Sequence, residues 1–240
     1  VLAATGRRDT SGRKGMSRIA FIGAGKMAEA ILKELLRVGW ADAKDAVISD
    51  VDDERLEMMA SKYGVRAAAS NPEAASGAET VLLAVKPQKL EGVLRELSGS
   101  IAGNQTVISI AMGKSTEFVE ALLPEGTPVV RVMPNNPAMV GAAVSVLSFG
   151  RHAGEEARDR ARDIFSCLGD VYELDEKLQD EAMAVSGCGP AYFYVLAEAM
   201  CDAGVGLGLD RNLALKLVTG TMIGAGMMLR ESGQHPAKLK

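Results

Sequence analysis

The chain has 240 residues, 48% hydrophobic and 24% charged, which is enough to bury a real core in one large domain or two modest ones. A net charge of −4 with no basic stripe argues against a nucleic-acid partner. Three unevenly spaced cysteines (Cys167, Cys188, Cys201) and two distant histidines (His152, His235) form neither a disulfide framework nor a metal pair, so a reducing, cytoplasmic setting is expected.

Residues 1–15 are polar, carry Arg7, Arg8, Arg13 and Lys14, and lead into no apolar signal-peptide core. They read as an extension ahead of a start at Met16. The first strand follows, as Arg18-Ile19-Ala20-Phe21-Ile22, and ends in Gly23-Ala24-Gly25-Lys26-Met27-Ala28. Helical spacing then begins at once, with Ala30, Ile31, Leu32, Leu35, Leu36 and Val38 apolar. Strand, Gly-x-Gly-x-x-Ala and helix make the context of the dinucleotide fingerprint. Gly23 allows the tight turn, Gly25 lets the backbone approach a pyrophosphate, and Ala28 keeps helix and strand close. The helix start offers N–H groups and a positive dipole end to phosphate.

A second strand is predicted over 46–49 and a helix over 53–63. Asp50 ends that strand, where a carboxylate can accept both hydroxyls of an adenosine ribose and repel a 2′-phosphate. Arg55 is the nearest cation able to offset it. The other reading is that Asp50 or Asp52 caps the helix. Next come a buried strand over 80–85, a helix through Leu97 with Pro87 in its first turn, a strand over 106–110 and a helix near 115–122. Further strands are predicted over 129–132 and 143–148. Short apolar strands alternating with helices argue for a parallel sheet covered on both faces. Residues 132–150 are the longest uncharged stretch, but Pro134, Asn135, Asn136 and Pro137 rule out a spanning helix there, and no membrane partner is expected.

The pattern changes after Leu174. Helices are predicted over 176–185, 190–205 and 212–229, and the last two are apolar nearly all round. Such helices must be buried on several sides, and a segment of roughly 65 residues has little core of its own. A dimer through this region is therefore expected. The domain reading is an extension at 1–15, a nucleotide-binding domain at 16–175 and a helical dimerisation and substrate domain at 176–240. Cys188, at the start of the first long helix, reads as a small packing residue.

Five segments then stand together in order: Phe21 to Ala28; Ala84-Val85-Lys86-Pro87-Gln88; Arg131-Val132-Met133-Pro134-Asn135; Ser186-Gly187-Cys188-Gly189-Pro190-Ala191-Tyr192; and Asp202-Ala203-Gly204-Val205 with Gly208-Leu209. This ordered set resembles the pyrroline-5-carboxylate reductase family. The resemblance implies an α/β fold, with an N-terminal Rossmann domain on a parallel sheet followed by an all-α dimerisation domain that interlocks with a second copy. It implies hydride transfer from NADPH or NADH to the C=N bond of 1-pyrroline-5-carboxylate, giving L-proline. To the Gly23 and Asp50 read from the motif it adds cofactor contacts at Gly25, Lys26, Met27, Asn71, Ala84, Lys86, Pro87 and Ala111. Substrate contacts are implied at Met133, Pro134, Asn135, Ser186, Gly187, Cys188, Gly189, Pro190 and Ala191.

Asn136 stands where the family usually has Thr or Ser, and Cys188 where it usually has Ser. The family also continues into a Ser-Pro-Gly-Gly-Thr-type loop that this sequence, ending at Lys240, does not reach. The catalytic hydroxyl is expected there, so the chain as given is expected to bind the dinucleotide but turn over poorly. Two alternatives remain at this level: a dimeric dinucleotide-binding protein without turnover, and a related hydroxyacid dehydrogenase, for which Lys216 lies in no family motif.

Overall fold

The computed structural model describes residues 18–240; the expected extension and the start at Met16 lie outside the described residues. An eight-stranded sheet is built from β1 (Ile19–Ile22), β2 (Ala46–Ser49), β3 (Arg66–Ala67), β4 (Thr80–Leu83), β5 (Thr106–Ser109), β6 (Val129–Met133), β7 (Ala143–Phe149) and β8 (Gly169–Glu173). Its order is β3-β2-β1-β4-β5-β6-β7-β8. The first six strands run parallel; β7 is antiparallel to β6, and β8 parallel to β7. The expected parallel sheet thus contains one reversal. The loop after β6 is a short turn rather than a crossover helix, and a short turn returns the chain antiparallel.

Strand β1 shows why the strands are apolar throughout. Ile19 and Phe21 enter a core shared with Ile31, Leu35, Ile164 and Phe165, while Ala20 and Ile22 enter a second core with Leu90, Leu94 and Leu97 on the opposite face. Alternate side chains of one strand feed two layers, so neither face is left polar. The first layer holds α1 (Lys26–Arg37), α2 (Asp53–Tyr63) and α6 (Glu155–Ser166); α3 (Asn71–Ala75), α4 (Leu90–Leu97) and α5 (Thr116–Glu120) contribute to the second. Helix α2 starts at Asp52, whose side chain accepts from the Arg55 N–H, and stops at Gly64 in the left-handed region.

Three expectations shift. The strands predicted to end at Val85 and Ile110 stop two and one residues earlier, at Leu83 and Ser109. Pro87 lies in the turn before α4, which begins at Leu90, so it does not occupy the helix's first turn. The helix predicted over 176–185 is broken into a 3₁₀ turn (Glu176–Leu178), α7 (Gln179–Ala182) and a wide π-type turn (Met183–Gly187).

The described residues divide into two compact units, one ending at Gly187 and the other Cys188–Lys240. The second holds α8 (Gly189–Gly206), α9 (Arg211–Ser232) and α10 (Pro236–Leu239). Helices α8 and α9 approach closely at Gly204, where a methyl group would lie 3.4 Å from Ala214 Cβ. Their remaining faces are open: Tyr192, Phe193, Leu196, Ile223 and Met228 are all more than half exposed. By length and composition α9 is apolar enough to cross a membrane, although Lys216 and Arg230 punctuate it.

Candidate functional site

Because the first six strands are parallel, the residues after β1, β2, β4, β5 and β6 meet at one edge of the sheet. Strand β1 is flanked by β2 on one side and β4 on the other, the point where the order reverses and where α/β sheets bind ligands. Gly23 turns the chain there with φ +100°. Its N–H donates to Ser49 O at 2.8 Å, and a methyl group on it would lie 2.7 Å from Ala84 O. Only glycine fits. Gly25 starts α1 in extended conformation and supplies no capping side chain. A methyl group there would meet nothing within 4 Å. The first turn of α1, with Lys26 and Met27, therefore opens onto free space with backbone N–H groups that no side chain caps.

The turn is braced from α2. Asp50 Oδ2 accepts the Ala24 N–H at 2.6 Å and its Oδ1 accepts the Asp52 N–H at 3.1 Å. Asp52, not Asp50, caps α2. Arg55 donates from Nε to Ala24 O at 2.5 Å and from Nη2 to Glu29 Oε2 at 2.5 Å. It is therefore not the loose counter-cation expected from sequence. Glu29 Oε1 also accepts from Lys62 Nζ and from the Tyr63 hydroxyl, each at 2.9 Å. Burial opposes ionisation of Glu29, but hydrogen bonds from Lys62, Arg55 and Tyr63 outweigh it and hold the carboxyl down at about 2.

Asn71 opens α3. Its Oδ1 accepts from Ser49 Oγ at 2.8 Å and its Nδ2 donates to Glu96 Oε2 at 2.7 Å. Ala84 follows β4, with its N–H on Ile22 O at 2.8 Å; Lys86 and Pro87 continue the turn, with Lys86 exposed. Ala111 is buried after β5 and donates to Ser109 Oγ at 3.3 Å.

At the end of β6 and just past it, Met133, Pro134 and Asn135 are buried. The Asn135 side chain bridges two segments: Oδ1 accepts the Val144 N–H and Nδ2 donates to Ser186 O, both at 2.9 Å. Strand β7 and the π-type turn are thereby held to one side chain, and Gly187 closes that turn with a methyl position 3.0 Å from Met183 Cγ. Such turns recur at functional sites. Arg131, 6% exposed, reaches Glu176 at 3.3 Å and Asp180 at 3.1 Å. Glu176 also accepts from the Thr116 N–H and hydroxyl. In the second unit Cys188 precedes α8 with helical dihedrals, and Gly189, Pro190 and Ala191 form its first turn. Cys188 is exposed, contrary to the packing role expected of it.

Residues 176–240 match the family described as pyrroline-5-carboxylate reductase dimerisation, and residues 18–113 the family described as NADP oxidoreductase, coenzyme F420-dependent. A pyrroline-5-carboxylate reductase of Methanosarcina acetivorans is 40% identical over 93% of this chain and 83% of that protein. The chain belongs to the pyrroline-5-carboxylate reductase family. A Bacillus subtilis member is 34% identical over 93% of this chain and 75% of its own length. The solved Coxiella burnetii reductase superposes with TM-score 0.86 at 32% identity, covering 94% of this chain and 84% of that one. The Plasmodium falciparum enzyme, solved with NADP bound, gives 0.85 at 29% identity, covering 94% and 84%.

Within this family member, the sequence reading passed over Ser49 and Glu29. Ser49 touches both Gly23 and Asn71, and only its place beside Asp50 hinted at a role. Glu29 had no sequence signal, because its partners lie 26 to 34 positions away.

Proposed function

We propose that this chain is a pyrroline-5-carboxylate reductase, transferring hydride from NADPH or NADH to the C=N bond of 1-pyrroline-5-carboxylate to give L-proline. The observation that carries the reading is family membership over both modules, joined to an open, uncapped helix start at the switch point of the sheet.

NAD(P)H supplies the hydride; the residues present fit it, since Gly25 leaves an unfilled cradle and α1 starts without a capping side chain. The N–H groups at Lys26 and Met27 would hold the pyrophosphate. Gly23 keeps that turn against Ala84, and Asp50 puts a carboxylate beside the adenosine ribose. Asn71, Ala84, Lys86, Pro87 and Ala111 would line the rest of the dinucleotide crevice. Substrate contacts are assigned, as the family resemblance implies, to Met133, Pro134 and Asn135 and to the stretch Ser186, Gly187, Cys188, Gly189, Pro190 and Ala191. Asn135 serves by fixing the Ser186 carbonyl. A protonated imine accepts hydride better than a neutral one, so the residues' task is to orient the ring, hold its carboxylate and tolerate that proton.

The chain forms homo-oligomers, and we assign a homodimer, or an assembly of such dimers, to residues 176–240. The open apolar faces of α8 and α9 support a second copy rather than a membrane as their cover. Arg211, Lys216, Arg230 and Glu231 on α9 would be costly in lipid. Three free cysteines suit a reducing compartment such as the cytoplasm.

The test is oxidation of NADPH or NADH by the chain with 1-pyrroline-5-carboxylate, with a hydroxyacid and NAD(P)⁺ in parallel. Of the two substrates, only the imine is expected to be turned over, and slowly. Nucleotide binding without turnover of either substrate would favour a binding protein, and turnover of the hydroxyacid a different dehydrogenase.

A further inference from the structure

The adenosine end of the crevice is strongly acidic. Asp50, Asp52, Asp53 and Glu54 follow one another closely after β2, and Arg55 is the cation of that first turn. A 2′-phosphate bears about −1.5 to −2 charges near neutrality and is best held by the two-pronged edge of a guanidinium. In Arg55 the Nε/Nη2 edge, one of the two that its guanidinium offers, is already taken. Nε is on Ala24 O and Nη2 on Glu29, and the side chain is only 25% exposed. The second nearby cation, Lys62, is drawn onto the other oxygen of the same carboxylate. Glu29, 14% exposed, lies behind the glycine turn and gathers both cations away from the ribose.

We infer that Glu29 is a specificity-determining residue for the 2′ position of the adenosine ribose, acting through Arg55. With Glu29 ionised, Arg55 braces the glycine turn from behind and Asp50 alone faces the ribose, so a free 2′-hydroxyl is favoured over a 2′-phosphate. Without the Glu29 charge, the Arg55 fork is released toward the phosphate position and discrimination narrows. Glu29 touches neither the reacting atoms nor the nicotinamide half. The inference rests on the dinucleotide reading above.

The experiment measures calorimetric affinities of the full chain for two probes, ADP and adenosine 2′,5′-bisphosphate. The wild type is expected to bind ADP at least as tightly as the bisphosphate. Glu29→Gln is expected to tighten the bisphosphate relative to ADP by about fivefold. The double variant Glu29→Gln/Arg55→Ala should lose that gain. Glu29→Asp, which keeps the charge but shortens its reach, should shift the ratio in the same direction by less, and serves if Glu29→Gln does not fold. A wild type that binds the bisphosphate tenfold tighter than ADP overturns the inference without any variant. So does a ratio unchanged by both Glu29 substitutions, or a gain that persists without Arg55. A wild type that binds neither probe overturns the dinucleotide reading and this inference together, whereas an unchanged ratio with intact ADP binding overturns this one alone.

Discussion

Gly23 faces Ala84 across the β1–β4 pair so closely that a methyl group on Gly23 would stand 2.7 Å from the Ala84 carbonyl oxygen. Two segments 61 positions apart in sequence, both implicated in nucleotide binding, are therefore one packed unit. Gly25, two residues on, has open space around it.

The two glycines should separate stability from binding. Gly23→Ala combines a positive φ with a backbone clash and should lower stability by about 1–3 kcal/mol. Gly25→Ala should move the thermal midpoint little and weaken nucleotide affinity, because its free space is where phosphate would lie. Thermal unfolding beside fluorescence titration with NADH reads both. Equal loss of stability in the two variants would refute the assignment.

Asn135→Ala should leave the Val144 N–H and Ser186 carbonyl without their partner, at a cost of about 1–3 kcal/mol. If Asn135 fixes the turn before α8, kcat/KM for the imine should fall while NADH affinity stays near wild type. A parallel drop in nucleotide affinity would show that the effect is general unfolding.

Glu176 is the more buried of the two carboxylates on the Arg131 guanidinium. Glu176→Ala should cost about 3–5 kcal/mol, because a buried cation then keeps only the largely exposed Asp180. Arg131→Met/Glu176→Met should recover most of the loss. Urea unfolding of the three variants checks this, and a double variant no better than Glu176→Ala would contradict it.

The Glu29 carboxyl titrates at about 2 in the folded chain, below its ordinary value of 4.5. A depressed carboxyl stabilises above its unfolded value and loses that contribution as pH falls through the folded one. Wild type should therefore exceed Glu29→Gln by about 1–3 kcal/mol near pH 7, with the gap closing between about pH 4.5 and 2. Denaturation across that range measures it. A gap that stays constant would remove the ionic contribution.

A chain ending at Gly187 keeps the Arg131–Glu176 and Asn135–Ser186 contacts but lacks α8 and α9. It should sediment as a monomer where the 240-residue chain forms a dimer or larger species. Equal association by the shorter chain would put the contact elsewhere.

Local rules were enough to read part of this fold from the chain. The bounds of β2 and α2 were read to the residue, because an apolar run of four and a helix with an Asp cap and a Gly stop carry their own signals. The glycine turn was legible because its backbone demands glycine, and the dimerising helices were legible because they lack a polar face. Helix α6 and strand β8 escaped, since α6 shows only a thin stripe (Ala157, Ala161, Ile164, Phe165) beneath its charges and β8 buries Val171 alone. The reversal of β7 was not written locally either; it follows from how the turn after β6 packs. The partners of polar side chains, by contrast, emerge only when distant elements pack together. Asp50 read equally as a ribose ligand or a cap, and the fold gives it the Ala24 and Asp52 amides. Arg55 read as a spare cation, and the fold binds it to Glu29. Periodicity encodes which face of an element is buried, but a hydrogen bond between residues tens of positions apart exists only once two elements have docked.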